Sequence, residues 1–492
     1  MAYVTRGAAS ATVRIPECKG LMQYGDGVGL DPRYATECSN ASTAQGVLQP
    51  MAACTLLPAK TPAPIQTLAR LYRRWYAPDE QHEVLIAASG GQLYWMLPGG
   101  EHWTRLSMPY GWTQPRYLSD VWSWAAYEIN AEDRDAPVDV LLMSNAMDGM
   151  ICIRGDTMAV SAVATPKKFG VIARYAERIW GGGIPDDPDM LLYSAPYDPF
   201  DWAQNDEIPE DGAGDVLQPS WDGDSFTALT PFGSQLIALK KTRVWRVLGT
   251  DPGTYVFKEQ YGGGTPCPQT VAVDGSRILM LGREGVLCYD GESVAPFQQA
   301  FAHRVFARIN PAALSEATAC MWRGTYYCAL ALDDSPVNNA VVMFNTRENT
   351  WLLRTDAAVE SFLPTEDALY FTSSTTPGRI WLWQEDCMQA GQAQPMRWVV
   401  GWQNLQAHDV TKRFFRVYLC AECLKEATVR LTMETENGVR TKTVVFSPGQ
   451  TKQRCVPFHL HGRRFRLTVE SDGGAAWRLL GGMHIEMDTE ED

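Results

Sequence analysis

No run of about 18 uncharged apolar residues occurs in this 492-residue chain, so no membrane-spanning helix is expected. The opening stretch, MAYVTRGAASATVRIPECKG, lacks the apolar centre of a secretory leader, and synthesis and retention in the cytosol are expected. No GxxxxGK is present. GDGVG (25–29) lacks the preceding strand and following helix of a nucleotide loop, which excludes P-loop chemistry. Only Cys420 and Cys423 among twelve cysteines form a C-x-x-C, and no second pair stands at zinc-finger spacing. Cys152, Cys288, Cys320 and Cys328 lie inside apolar stretches and read as small hydrophobes in a core. Seven histidines yield one cluster, His459 and His461, whose neighbours Arg454, Arg463 and Arg464 favour a basic surface over a metal site. Charge of one sign is missing too. Between Ile179 and Leu239 there is no Lys or Arg, against twelve acids.

What is present is a repeated β-hairpin pattern. VLIAASGGQLYWML (85–98), VLLMSNAMDGMICIRG (140–155), VIARYAERIWGGG (171–183), QLIALKKTRVWRVLG (235–249), ILMLGREGVLCYDG (278–291), AVVMFNTRENTWLLR (340–354) and ALYFTSSTTPGRIWLWQ (368–384) each join two apolar strands through a turn. Seven such units predict an all-β chain with a β-propeller over 71–390. Residues 1–70 carry many breakers and few strand patterns, and are expected to form an extended arm that orders by docking. From 391 to 492, segments such as FFRVYLCAE, ATVRLTMETE and RFRLTVES alternate apolar and polar residues, which predicts a C-terminal antiparallel β-sandwich with a frayed acidic tail.

The net charge of −14 is unevenly spread. The acid-rich stretch contains Asp186, Asp187, Asp189, Asp198, Asp201, Asp206, Glu207, Glu210, Asp211 and Asp215, followed by Asp222 and Asp224, and is expected to be one long surface loop. From Thr411 to Arg466 the balance reverses, with twelve basic residues against four acids. Lys412, Arg413, Arg416, Arg463 and Arg464 are candidate interface residues there. Oppositely charged territories suit contacts between copies; solvation of two faces explains them equally. Basic and aromatic residues interleave in TKRFFR (411–416) and HGRRFR (461–466), but strand alternation would send Phe414, Phe465 and Leu467 into a core.

Catalytic motifs are few. SWDGDSF (220–226) approaches a sialidase Asp-box, but its Gly comes one place too early. No Ser–His–Asp or Cys–His set can be assembled. The acids of 186–224 leave a glycosidase-like pair as one alternative.

KGLMQYGDGVGLDPRYATECSNASTAQGVLQPM (19–51) resembles an opening found in phage virion proteins. RIWGGGIPDDPDMLLYSAPYDPFDW (178–202), continued by the hairpin and glycine turns of 226–291, is similar to bacteriophage tail proteins with a propeller core, among them the tail nozzle, or DNA-stabilisation protein, of short-tailed phages. That resemblance implies a structural, non-enzymatic ring subunit, typically of a hexamer, assembled in the host cytoplasm and carried in the virion tail. It implies contacts with copies of itself, an adaptor or head-to-tail connector, and tail fibres or spikes. It implies no cofactor, no metal and no membrane insertion. Genomic duplex DNA would pass without specific binding, and an acidic loop facing the channel or its rim would repel a polymer bearing about one charge per 1.7 Å. Two rivals remain at this stage. A tail-tip protein would stack Trp103, Trp112, Trp122, Trp202 or Trp221 on host glycan, and a glycan-cleaving propeller would use Asp198 or Asp201.

Overall fold

The computed structural model describes residues 11–25, 27–73, 83–109, 121–130, 136–217, 223–260, 263–449 and 452–489. Seven four-stranded antiparallel sheets follow one another along the chain, at 65–105, 123–163, 171–217, 228–260, 272–296, 318–354 and 359–382, the last completed from elsewhere. They are the blades of a β-propeller. First strands of neighbouring blades lie against one another, as Ser123–Ile129 does against Val171–Tyr175 and Thr318–Trp322 against Val359–Pro364; blades 4 and 5 pack through Ile237, Leu239, Ile278 and Met280, and Val359–Pro364 of blade 7 lies against Ile65–Tyr72 of blade 1, closing the circle.

Strand composition explains the stacking. Second strands such as Val138–Asn145, Thr325–Leu330 and Leu369–Ser373 are buried on both faces, because each blade is covered by a neighbour on either side. Between blades 1 and 2, Leu71, Val84 and Ile86 pack with Leu141, Met143 and Ile153. Each of the seven sequence hairpins falls in a different blade. Five occupy the second and third strands; 171–183 supplies the first two of blade 3, and 340–354 the last two of blade 6.

The predicted arm is a correction. Residues 11–60 are integrated by strand pairing into the chain's own two bodies. Thr55–Lys60 is the outer strand of blade 7, pairing antiparallel with Arg379–Leu382, so the first and last parts of the propeller close one sheet. Pro58 is accommodated there because an outermost strand has a free edge. The propeller therefore starts before Leu71. Thr55–Lys60 covers the edge of Arg379–Leu382, and its own outer edge carries Pro58, which blunts association there.

The C-terminal body is a two-sheet sandwich that also recruits the N-terminus. Ala11–Ile15 pairs with Trp477–Thr489 at the edge of a four-stranded sheet, and Ala35–Ser39 pairs with Met396–Val400 at the edge of a five-stranded one. Glu486 and Asp488, placed by the sequence pattern in a frayed tail, belong to that paired strand; 490–492 lie outside the described residues. Phe414, Val417, Leu431, Phe465, Leu467 and Ile485 fill the space between the sheets. This core is continuous with blades 5 and 6 through Leu21, Phe306, Phe344 and Trp351. Among the described residues no helix is long and apolar enough to cross a membrane.

Candidate functional site

Strand alternation sorts the acids of blade 3. In an antiparallel blade the first-to-second and third-to-fourth connections share one end, and the second-to-third and blade-to-blade connections share the other. Asp186, Asp187 and Asp189 lie between Arg178–Gly182 and Met190–Tyr193, whereas Asp198, Asp201, Asp206, Glu207, Glu210 and Asp211 lie between Met190–Tyr193 and Gly214–Leu217. The expected single acidic loop is thus two groups at opposite ends of the propeller. Met190–Tyr193, too short and apolar to stand out between acidic flanks, separates them.

The first group is largely neutralised. Lys167 Nζ pairs with Asp187 at 2.6 Å, a contact that raises the lysine's pKa. Lys240, fully buried, pairs with Asp189 at 2.5 Å and sits 4.5 Å from the Phe226 ring centroid.

The second group is exposed and held from beneath. Arg178 is buried, and its guanidinium donates to the carbonyls of Ser194 at 2.8 Å and Gly212 at 2.6 Å and to that of Glu210. One cation thereby ties the loop at both ends. Asp198 accepts the Phe200 N–H at 2.8 Å, Asp201 the Ala203 N–H at 2.9 Å, and Asn205 the Glu207 and Ile208 N–H groups, all local Asx-type turns. Asp215, on the following strand, accepts from Gln204 at 3.1 Å. The loop sits towards the outside of its blade, and Trp202 packs on Phe169 with ring centroids 5.0 Å apart.

The aromatic residues considered for glycan stacking are packing groups where they are described. Trp122 is buried, Trp103 joins the blade 1–7 core and Trp202 the blade 2–3 core. Trp112, Trp221 and Asp222 lie outside the described residues.

In the sandwich, Lys412 is a second correction. It is fully buried, and Nζ donates to the carbonyls of Ala407, Val410 and Arg463 at 2.5, 2.9 and 2.7 Å. Lys412 and Phe414 are two apart on one strand and face inward together. Desolvation lowers the lysine's pKa, opposed by the charges of Glu436 and Asp409. Arg416 is exposed but pairs with Glu486 at 3.4 Å, a residue outside the basic stretch. Arg430 likewise meets Asp472 at 2.8 Å, and Arg466 meets Glu434 at 2.5 Å. Arg416 and Arg430 thus find partners outside the stretch, while Arg466 pairs with one of its own four acids, so most of the basic surplus of 411–466 persists in the fold. Arg413, Arg463 and Arg464 remain exposed. Arg464 lies 4.8 Å from the Trp402 ring centroid. Glu436 accepts the Arg463 and Arg464 backbone N–H groups; burial alone would raise its pKa, but these bonds outweigh it and hold the carboxyl low.

His459 and His461 are both exposed, beside Phe415 and Arg413 in an open groove. Among the described residues no group of three or more His, Cys, Asp or Glu side chains is placed to hold a metal. Cys423 is buried against the Phe446 carbonyl, and desolvation raises its pKa.

These features define an all-β protein in which a closed seven-bladed propeller is joined to a sandwich whose core runs on into blades 5 and 6. No protein-family model matches the chain, and no curated protein matches it in sequence. Among solved structures it is similar to the Pan2 WD40 domain of Neurospora crassa, at 12% identity over 68% of this chain and 98% of that one, with a TM-score of 0.35. It is also similar to BamB from Moraxella catarrhalis, at 8% identity over 77% of this chain and 99% of that one, with a TM-score of 0.34. A third likeness is to BBS1N in its complex with ARL6DN, at 8% identity over 68% of this chain and 97% of that one, with a TM-score of 0.38.

Proposed function

We propose that this chain is a structural, non-catalytic subunit of a bacteriophage tail, of the nozzle type, joined to copies of itself in a ring around the path of the exiting genome. The observation that carries the reading is the double threading of residues 11–60, which pair first with the sandwich and then with blade 7. A subunit loaded along the tail axis needs its two bodies to move together, and strand pairing from one continuous segment links them without a hinge. The sequence resemblance supplies the kind of assembly. A connector protein and tail fibres or spikes are the partners it implies.

Charge placement is compatible with that role. Asp198, Asp201, Asp206, Glu207, Glu210, Asp211 and Asp215 are exposed at one end of one blade, where a facing duplex would be repelled. Arg413, Arg463 and Arg464 offer the opposite sign on the other body, as a head-to-tail ring contact requires. Asp198 and Asp201, the acids that glycan cleavage would need, each give an oxygen to the loop's own backbone.

Negative-stain imaging of the purified full-length chain at micromolar concentration, with antibody labelling of the virion, tests the reading. Rings of copies that loosen in high salt, and label confined to the tail, are expected. A strictly monomeric protein that labels no part of the particle overturns it.

A further inference from the structure

Seven blades form the circle, so blade 3 lies three blades from blade 6 in one direction and three from blade 7 in the other. The sandwich packs onto blades 5 and 6, and its N-terminal segment continues into blade 7. The exposed acidic loop of blade 3 and the basic edge of the sandwich therefore stand on opposite flanks of one molecule. They cannot pair within a chain.

The loop carries apolar surface as well as acids. Tyr197, 76% exposed, is the most exposed large hydrophobic side chain among the described residues. Phe200 and Ile208 on the same loop are exposed too, as is Val256 where the outer strand of blade 4 begins. The turn Pro252–Thr254 of blade 4 lies against Pro209–Asp211 of the loop. With Arg178 fixing the backbone from beneath, this apolar surface is preorganised and interspersed with Asp198, Asp201, Asp206 and Glu207. Among the described residues none of these four acids forms an ion pair.

The sandwich edge has the reciprocal character. Lys412–Cys423 and Arg454–Gly462 pair Phe414 with Leu460 and Arg416 with Pro457, so Phe415 alone stands opposite Phe458 and His459. At that bulge, where His459 has a φ of +50°, lies an open groove of about 390 Å³. Arg413, Phe415, His459 and His461 line it together with Phe414 and Leu460, and no carboxylate does. Val439 is exposed on the neighbouring edge strand Gly438–Phe446, whose Arg440 donates to the Phe458 carbonyl at 2.7 Å. Arg463 and Arg464 follow at the turn, and among the described residues neither guanidinium is ion-paired. Glu436 beside them is occupied by their backbone N–H groups.

We infer that the acidic, apolar loop of blade 3 docks in this groove of a second copy of the chain. Tyr197 and Phe200 meet Phe415 and the histidine rings, and the loop acids stand opposite Arg413, Arg463 and Arg464. Copies with a net charge of −14 repel one another at long range, so association requires local complementarity of this kind. An apolar floor with a cationic rim fits a protein knob, whereas a duplex phosphate backbone would leave Phe415 and Val439 uncovered. Contacts between different patches on opposite flanks are heterologous, and they close into a ring or run on as a filament. This contact rests on the proposal that the chain joins copies of itself, and it names the surfaces that join.

The test uses the full-length parent, Asp206→Lys/Glu207→Lys, Arg463→Glu/Arg464→Glu, and a chain carrying all of these changes. Sedimentation in low salt should show association of the parent, weakened about tenfold or more in each double variant because like charges then face each other. An equimolar mixture of the two double variants, and the combined variant alone, should associate as the parent does. Thermal melting establishes that each variant is folded. A parent that stays monomeric, double variants that associate like the parent, or a mixture that fails to recover each overturns the contact. Duplex DNA binding that Arg463→Glu/Arg464→Glu abolishes while self-association stays intact overturns it in favour of nucleic acid. Antibody labelling of the virion separates the two conclusions: label on the tail with unaltered assembly of the double variants removes this contact and leaves the tail subunit standing.

Discussion

Gly20 meets Trp351 so closely that a Cβ on Gly20 would stand 2.1 Å from the Trp351 carbonyl oxygen. The next amide, that of Leu21, donates to the same oxygen at 2.7 Å. Trp351 lies in the outer strand of blade 6, packed by Phe297, Phe306 and Phe344. The N-terminal segment leading to the sandwich is thus pressed onto the propeller backbone at a point that admits no side chain. Gly20→Ala should cost about 1–3 kcal/mol through forced displacement. Gly263→Ala, with nothing within 4 Å, is the control and should be close to neutral. Denaturant melts of the two variants decide this; equal stability would show that the seam yields.

Removal of residues 1–60 should be far more damaging than removal of 1–16. The shorter deletion uncovers one edge of the sandwich, along Trp477–Thr489. The longer one also strips blade 7 of Thr55–Lys60 and leaves Arg379–Leu382 as an open edge next to the ring closure. Size-exclusion chromatography should find the longer deletion largely aggregated and the shorter one soluble.

Arg178→Met should release the acidic loop. Its three carbonyl partners would lose a buried donor at a cost of about 1–3 kcal/mol. A glutamate-specific protease should then cut after Glu207 or Glu210 at least tenfold faster than in the parent. An unchanged cleavage rate would mean that the Asx turns alone hold the loop.

The pH dependence of Glu360 has a definite sign. Its folded-state pKa is raised, by burial first and Glu316 second, so between the ordinary carboxylate value and the raised one the folded state binds more protons than the unfolded state. Its contribution to stability is therefore full at low pH and is lost as pH rises through the folded-state value. Glu360→Gln should melt higher than the parent at pH 7, and the difference should vanish well below the ordinary carboxylate range. A constant difference across pH would locate the effect elsewhere.

Part of this was legible from local pattern. Each predicted hairpin lies in its own blade because two-residue alternation and turn residues are properties of short segments, as in Gln235–Leu239 and Val244–Leu248. The inward fate of Lys412 was legible too, since it shares the parity of Phe414, although a lysine beside an arginine reads more readily as surface. Nothing local marked Ala11–Ile15 or Thr55–Lys60 as strands of particular sheets. Their partners, Met483 to Met487 and Arg379 to Leu382, lie hundreds of residues away.

Periodicity along the chain suffices to specify an all-β protein with seven repeated hairpins and an alternating C-terminal body, because side-chain alternation depends on immediate neighbours. Closure of the ring, the division of one acidic stretch between two ends, and the meeting of Glu316 and Glu360 came from folding. Each of these needs long-range pairing or packing, whose geometry no local window of residues contains.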